Sequence, residues 1–208
     1  MFISHFDNDH VDGILSLMKE IKIKNIIICK QGENSENYKE FVKLVNQKKI
    51  KVKIAEKGER IKIEKDVYFD IIWPEKELIS ENVLNNNSLV IKMAYNEFSM
   101  LFTGDIEEIA EKKILSKVDK QKLKSTVLKV AHHGSNTSSI REFIDAVKPQ
   151  IALIGVGENN MYGHPSDEVI SRLQSFGTKI YRTDECGEIT IEVNKNGKII
   201  DINKYKNS

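Results

Sequence analysis

The chain has 208 residues, of which 40% are apolar and 30% charged, and a formal net charge of +1. That length and apolar share suffice for one sizeable buried core and exclude a disordered polymer. The near-zero charge excludes a broadly basic nucleic-acid coat, and no apolar run approaches the roughly 18 residues of a membrane span.

In chain order, short β-rich runs alternate with amphipathic stretches. Met1–Ser4 reads as a strand, Val11–Ile23 as a helix, Asn25–Cys29 as a strand, Ser35–Gln47 as a helix and Lys51–Ala55 as a strand. Strands are predicted next at Val67–Ile72, Ser88–Met93 and Phe98–Thr103, followed by a helix at Ile106–Ser116 and a strand at Thr126–Ala131. A helix at Ser139–Val147, a strand at Ile151–Gly155, a helix at Asp167–Phe176 and a strand at Lys179–Tyr181 come after them. Glu188–Val193 and Lys198–Ile202 form a predicted hairpin turning at Asn194-Lys195-Asn196-Gly197. Strands pair with helices, then run together, then pair with helices again. This predicts a single α/β domain over residues 1–208, with two sheets face to face and helices outside.

All five histidines fall within three polar motifs. They are Ser4-His5-Phe6-Asp7-Asn8-Asp9-His10, Ala131-His132-His133-Gly134-Ser135 and Gly163-His164-Pro165-Ser166. Imidazoles beside carboxylates are what a divalent cation of intermediate hardness requires. The first two motifs each follow an apolar run, as does Thr103-Gly104-Asp105, so the ligands sit on loops held by strand ends. If the first segment stays extended, residues 5, 7 and 9 project together. One ion then takes His5 and Asp7, and a second takes Asp9 and His10. Asp105 is the expected bridging carboxylate, because Gly104 lets the backbone pack close beside it. His132 or His133 completes the ligand set, with His132 placed among the ligands and His133 among the catalytic groups. Two divalent ions are the expected cofactors, and a pair of them can drive phosphoryl transfer. The bland alternative for the first motif is that Asp9 or Asp12 caps the helix that follows.

Asp9, Asp105, His133 and His164 are the expected catalytic residues, with His133 or His164 assisting the leaving oxygen. His164 is also open to direct ligation or to substrate contact. Ser135, Asn87, Ser88, Ser166 and Lys129 are candidate substrate contacts. Ser139-Ile140-Arg141-Glu142 fits a capping box, and Pro165 is expected near the first turn of the next helix. Glu111 to Val130 holds seven lysines against two acids. That run is either a solvated helix face or a contact for a phosphate backbone. Cys29 and Cys186 read as two thiols outside any disulfide or metal set.

The order of motifs carries a resemblance. His5-x-Asp7-x-Asp9-His10 comes first, then Asn85-Asn86-Asn87-Ser88-Leu89-Val90, Phe102-Thr103-Gly104-Asp105 and His132-His133-Gly134-Ser135. Gly163-His164-Pro165 and Tyr181-Arg182-Thr183-Asp184 complete it. This resembles the metallo-β-lactamase αββα sandwich, and more narrowly the C-terminal domain of ComEC-type competence proteins. By that resemblance Asp7 stands where the superfamily has a second histidine, and Asn87-Ser88 roughly where it has a Gly-His motif. The oxygen-rich ligand set favours manganese, with zinc as the alternative. The resemblance implies a DNase of DNA uptake acting on single-stranded DNA. It would be tethered through a membrane channel of the same parent on the extracytoplasmic side, while this chain by itself reads as soluble. It also implies that the fold's first N-terminal strands are missing ahead of Met1, leaving exposed edges. The alternatives are a small-molecule phosphodiester or ester hydrolase and a non-catalytic remnant.

Overall fold

The computed structural model describes residues 1–30 and 35–206. Met1–Ser4 does not form a full strand: Phe2 makes one parallel bridge to Ile27, and Ile3 N donates to Ile27 O at 3.0 Å. Two residues on, Leu89 N donates to Ser4 O at 2.9 Å, so the chain crosses from one sheet to the other just before His5. Helix α1 spans Asn8–Glu20, starting three residues ahead of the predicted Val11, with Asp7 as an extended N-cap that makes no side-chain cap bond. The apolar periodicity begins at Val11, which is why the first turn was not legible. Strand β1 (Asn25–Ile28), helix α2 (Glu36–Lys48) and strand β2 (Lys51–Ile54) follow, with β1 and β2 parallel. Ser35 Oγ accepts from Tyr38 N at 3.2 Å and starts α2.

Alternation along β1 divides its side chains between two cores. Ile26 and Ile28 join Ile3, Phe6, Val11, Met18, Phe41 and Leu44 beneath α1 and α2. Ile27 and Cys29 face the other way, against Ile71, Leu89 and Ile91 of the large sheet. Cys29 Sγ donates to Asn87 O at 3.2 Å, and neither cysteine forms a disulfide.

The large sheet has seven strands in chain order: β3 (Arg60–Glu64), β4 (Val67–Trp73), β5 (Val90–Tyr95), β6 (Phe98–Phe102), β7 (Val127–Lys129), β8 (Ile151–Ile154) and β9 (Lys179–Arg182). It is antiparallel from β3 to β6 and parallel from β6 to β9. The parallel half needs crossovers, which carry helices α4 (Glu108–Lys117), α6 (Arg141–Val147) and α7 (Asp167–Ser175). Short helices α3 (Val83–Asn86), α5 (Lys120–Leu123) and α8 (Thr183–Cys186) lie in the connections. Trp73, Leu101, Ile106, Ile114, Leu128, Phe143, Ile144 and Leu173 fill the core under α4, α6 and α7. On the other face, hairpin β10 (Glu188–Val193) and β11 (Ile199–Tyr205) sets Ile191, Ile199 and Ile202 against Phe98, Val127 and Ile151. The result is the predicted helix–sheet–sheet–helix sandwich.

Strand β3 was not predicted, because its alternation is short and interleaved with charge. It lies on the sheet edge, where Arg60, Lys62 and Glu64 discourage further pairing. The expected capping box fails too. Ser139 has φ +57° and the N-cap of α6 is Ile140, which has no side-chain acceptor. Glu111 of α4 supplies the cap from outside, accepting from Ser139 N at 2.7 Å and from Ile140 N at 2.8 Å. The lysine run is largely a solvated face: Lys112 pairs with Glu108 at 2.5 Å and Lys117 with Glu75 at 2.9 Å.

Candidate metal centre

The ligand candidates converge where the two sheets and the start of α1 meet. Asp9 and His10 project from the first turn of α1, not from the extended exit that alternate spacing suggested. Asp105 follows β6 in a turn that needs Gly104 at φ +54°; a Cβ there would lie 2.6 Å from Ser88 Cβ and 3.2 Å from Ser4 Cβ. Gly104→Ala is therefore expected to move Asp105 and to destabilise the fold by about 1–3 kcal/mol. Urea denaturation read beside manganese titration checks this, and unchanged stability with unchanged affinity would refute the close-approach argument.

Asp9, His10, Asp105 and His133 each offer a ligand atom, all within 4.8 Å of one another. His10 Nε2 lies 3.2 Å from Asp105 Oδ2 and 3.6 Å from Asp9 Oδ2. His133 Nε2 lies 3.1 Å from Asp9 Oδ2, 3.5 Å from Asp105 Oδ2 and 3.2 Å from His10 Nε2. Beside this group, His5 Nε2 faces Asp7 Oδ2 at 3.7 Å and Asp105 Oδ2 at 3.9 Å. Asp105 thus stands between a His5–Asp7 pair and an Asp9–His10–His133 set.

The residues fit divalent metal. His5 Nε2 and Asp105 Oδ1 are buried without a hydrogen-bond partner among the described residues, a costly state that coordination would relieve. Burial, and next the charge of His10, lower the His5 pKa to about 4, so its imidazole is neutral at neutral pH, as a ligand must be. Burial pushes the Asp105 carboxyl up, but hydrogen bonds from His10 and His133 together with the charges of His10 and His5 outweigh it. They hold the group well below the usual carboxylate range. The hydrogen bond to Asp105 raises the His133 pKa against burial.

Outer partners orient these rings. The Nδ1–H of His133 donates to Gly155 O at 2.6 Å; with an ion bound, the neutral ring would keep this bond and turn its Nε2 lone pair into the group. Ser88 Oγ touches His5 Nδ1 at 3.2 Å and accepts from Asp105 N at 3.1 Å, so one hydroxyl aligns two candidate ligands. Glu107 accepts from Asn86 Nδ2 at 3.2 Å and from Thr137 Oγ1 at 3.1 Å, tying the asparagine motif to the histidine turn.

His132, expected among the ligands, lies outside the four-residue group: its Nδ1 faces Glu107 Oε1 at 3.6 Å. Both His132 and His133 have left-handed backbone, with φ of 48° and 53°, and the tight turn swings their rings apart to 6.5 Å between centroids. His133 takes the inward place that the sequence left open between the two. His164 lines the cleft, edge-on to His132 with ring centroids 5.8 Å apart.

The expected substrate contacts are absent from the cleft lining. Asn87 spends its amide on Ile79 N and O and on Val83 O at 2.7–2.9 Å. Ser135 Oγ is 3.0 Å from Thr137 Oγ1 within its own turn, and Ser166 Oγ caps α7 by accepting from Val169 N at 3.3 Å. Pro165 stands immediately before that cap, beside the first turn. Lys129 Nζ donates to Val130 O at 3.0 Å in a neighbouring hollow with His10 and Gly104, and burial lowers its pKa. The cleft, of about 410 Å³, is lined instead by Asp7, Asn85, Asp105, Asn160, Tyr162 and His164, among others. Asn85 belongs to a motif visible in the sequence, and its buried Oδ1 has no partner among the described residues. Tyr162 and Asn160 carried no motif signal.

The family description "Metallo-beta-lactamase superfamily" matches residues 1–158. The chain belongs to the metallo-β-lactamase superfamily. Its relatives include ComE operon protein 3 of Bacillus subtilis, 31% identical over 189 residues, which covers 91% of this chain and 24% of that protein. Competence protein ComA of Neisseria gonorrhoeae is 34% identical over 132 residues, covering 63% of this chain and 18% of that one. Recombination protein 2 of Haemophilus influenzae is 27% identical over 194 residues, covering 92% and 22%. These names agree with the ComEC-type resemblance of the motifs. The chain spans a quarter or less of the length of these relatives. The metallo-β-lactamase fold protein YhfI from Bacillus subtilis superposes with a TM-score of 0.54 at 10% identity, covering 87% of this chain and 72% of that one, a likeness of fold.

Proposed function

We propose that this chain is a metal-dependent phosphodiesterase that cleaves single-stranded DNA in the service of DNA uptake. The observation that carries the reading is the convergence of Asp9, His10, Asp105 and His133 within 4.8 Å, beside the buried, unpartnered Nε2 of His5. His5, Asp7 and Asp105 would hold one divalent ion, and Asp9, His10, His133 and Asp105 a second. The oxygen-rich first set favours manganese over zinc. Divalent ions bound there would make a water nucleophilic at neutral pH and offset charge developing on a phosphodiester.

The chain's own groups complete the site. Ser88 and the Gly155 carbonyl fix two imidazoles, and Asp105 joins the two ligand sets. With His133 committed inward, assistance to the leaving oxygen falls to His164. Burial and then the charge of His132 lower the His164 pKa, so its neutral ring would assist by donating an N–H hydrogen bond to the leaving oxygen, which takes its proton from solvent. DNA as substrate is supported by relatives named for competence and recombination. An extracytoplasmic site beside a membrane channel of a longer parent is what the ComEC-type resemblance implies, and relatives named for competence are consistent with it. Among the described residues of this chain, no helix is long and apolar enough to cross a membrane.

A small diester is the second reading, favoured by one observation: the described residues lining the cleft include no lysine or arginine. The deciding experiment follows cleavage of end-labelled single-stranded DNA and of a small chromogenic diester, with manganese and with chelator. Metal-dependent cleavage of the strand supports the nuclease, and turnover of the small diester alone moves the assignment to the second reading. Cleavage of neither sinks both.

A further inference from the structure

We infer that Tyr162, backed by His164, is an aromatic platform on which a nucleobase of a single strand stacks while its phosphate occupies the metal centre. This rests on the phosphodiesterase reading above and deepens it by naming how the strand is held.

Tyr162 lines the cleft yet is 76% exposed, and neighbouring Met161 is 89% exposed. A large aromatic left in water beside a polar cleft carries a solvation cost that a stacking partner would relieve. Its ring lies nearly parallel to His164, with centroids 5.9 Å apart and planes 19° apart, which leaves its outer face open. His164 lies edge-on to His132 at 5.8 Å, and the His132 and His133 centroids are 6.5 Å apart, so rings step outward from the candidate ligands to the cleft mouth.

The platform is braced. Asn160 Oδ1 accepts from His164 N at 2.9 Å, and Asn160 Nδ2 donates to His164 O at 2.7 Å and to Gly157 O at 3.2 Å. One side chain thereby closes the loop that carries Tyr162. At the base of the loop, Val156 N donates to Thr183 Oγ1 at 2.8 Å, and Thr183 Oγ1 donates to Val156 O at 2.7 Å. Holding the rings in place before binding reduces the ordering cost that a free loop would impose.

Within the cleft the described lining residues include no lysine or arginine, so a base held there gains little from cationic side chains. Stacking supplies affinity of another kind, and it tolerates any sequence because every base has a π-face. The share of affinity that Tyr162 contributes should change little with rising salt.

The test measures, by fluorescence anisotropy in manganese, binding of a labelled phosphorothioate decamer and of an equal-length abasic strand. Wild type is expected to bind the base-bearing strand about tenfold more tightly. Tyr162→Ala is expected to erase that difference, while Tyr162→Phe and Tyr162→Trp keep it, since both retain a π-face. At so exposed a position these changes leave folding intact, checked by thermal denaturation. On cleavable DNA, Tyr162→Ala should raise KM about tenfold with kcat little changed. Equal binding of both strands by wild type, or an unaltered preference in Tyr162→Ala, overturns the platform. If metal-dependent cleavage persists in that case, the nuclease reading survives alone. Cleavage and binding of neither strand would sink that reading and the platform with it.

Discussion

Asp105→Ala is expected to lower kcat/KM on single-stranded DNA by about a thousandfold or more, equivalent to about 4 kcal/mol of transition-state stabilisation. The size follows from position. One carboxylate oxygen, Oδ2, lies 3.2, 3.5 and 3.9 Å from His10, His133 and His5, and Oδ1 is buried without a partner among the described residues. Removing it deprives both proposed ion sites of their shared ligand and leaves three imidazoles facing one another. Asp105→Asn, which keeps the shape and removes the charge, should lose a comparable amount. Ser88→Ala acts one step removed, through His5 Nδ1 and Asp105 N, and is expected to cost only 10–100-fold in metal affinity. Calorimetric manganese titration should show fewer ions bound by Asp105→Ala, and weaker binding at unchanged stoichiometry by Ser88→Ala. An Asp105→Ala protein that is folded and keeps a tenth of wild-type activity would remove Asp105 from the bridging role.

Glu111→Ala is expected to destabilise the fold by about 3 kcal/mol. Glu111 is wholly buried and is not among the candidate ligands, yet it serves as the N-cap acceptor of α6 from another helix. The substitution leaves Ser139 N and Ile140 N without their acceptor and opens a void. Arg172 Nη1 donates to Ser138 O at 3.2 Å and Ser139 O at 3.3 Å, so loop 135–140 is gripped from two sides. Burial pushes the Glu111 carboxyl up to about 8, against the two backbone bonds and the charge of Arg172. The unfolded chain releases this proton near the ordinary value of 4.5. Between those limits the native state holds a proton that the unfolded state has lost. The contribution therefore falls as pH rises, by at most about 1.4 kcal/mol per pH unit, and levels off above the folded value. Glu111→Gln cannot ionise, so urea denaturation at pH 5, 6.5 and 8 should give it a flatter profile than wild type. Parallel profiles would show that Glu111 is ionised in the folded protein throughout this range.

The αββα class and the grouping of His5, Asp7, Asp9, His10 and Asp105 were legible because both are written locally. Apolar strand runs end in polar motifs that hold four of the five histidines, so clustering in sequence foretold clustering in space. Strand β3 escaped because its charged residues mask a short alternation, and the start of α1 because its first turn carries ligands in place of apolar residues. His132 and His133 are adjacent in sequence and chemically alike. A left-handed turn and the carbonyl of Gly155, brought over by β8, selected His133. Asn87 and Ser166 resembled substrate contacts until Ile79, Val83 and Val169 arrived to consume their polar atoms. Glu111 looked like one more charge on a lysine-rich helix, since the N–H groups it caps lie 28 and 29 residues downstream. Tyr162 gained significance only when loop closure by Asn160 set it at the cleft mouth. Local pattern thus names which groups are available. Which of them face one another, and which are already spent on the backbone, depends on contacts between residues far apart in the chain, and these exist only once it is folded.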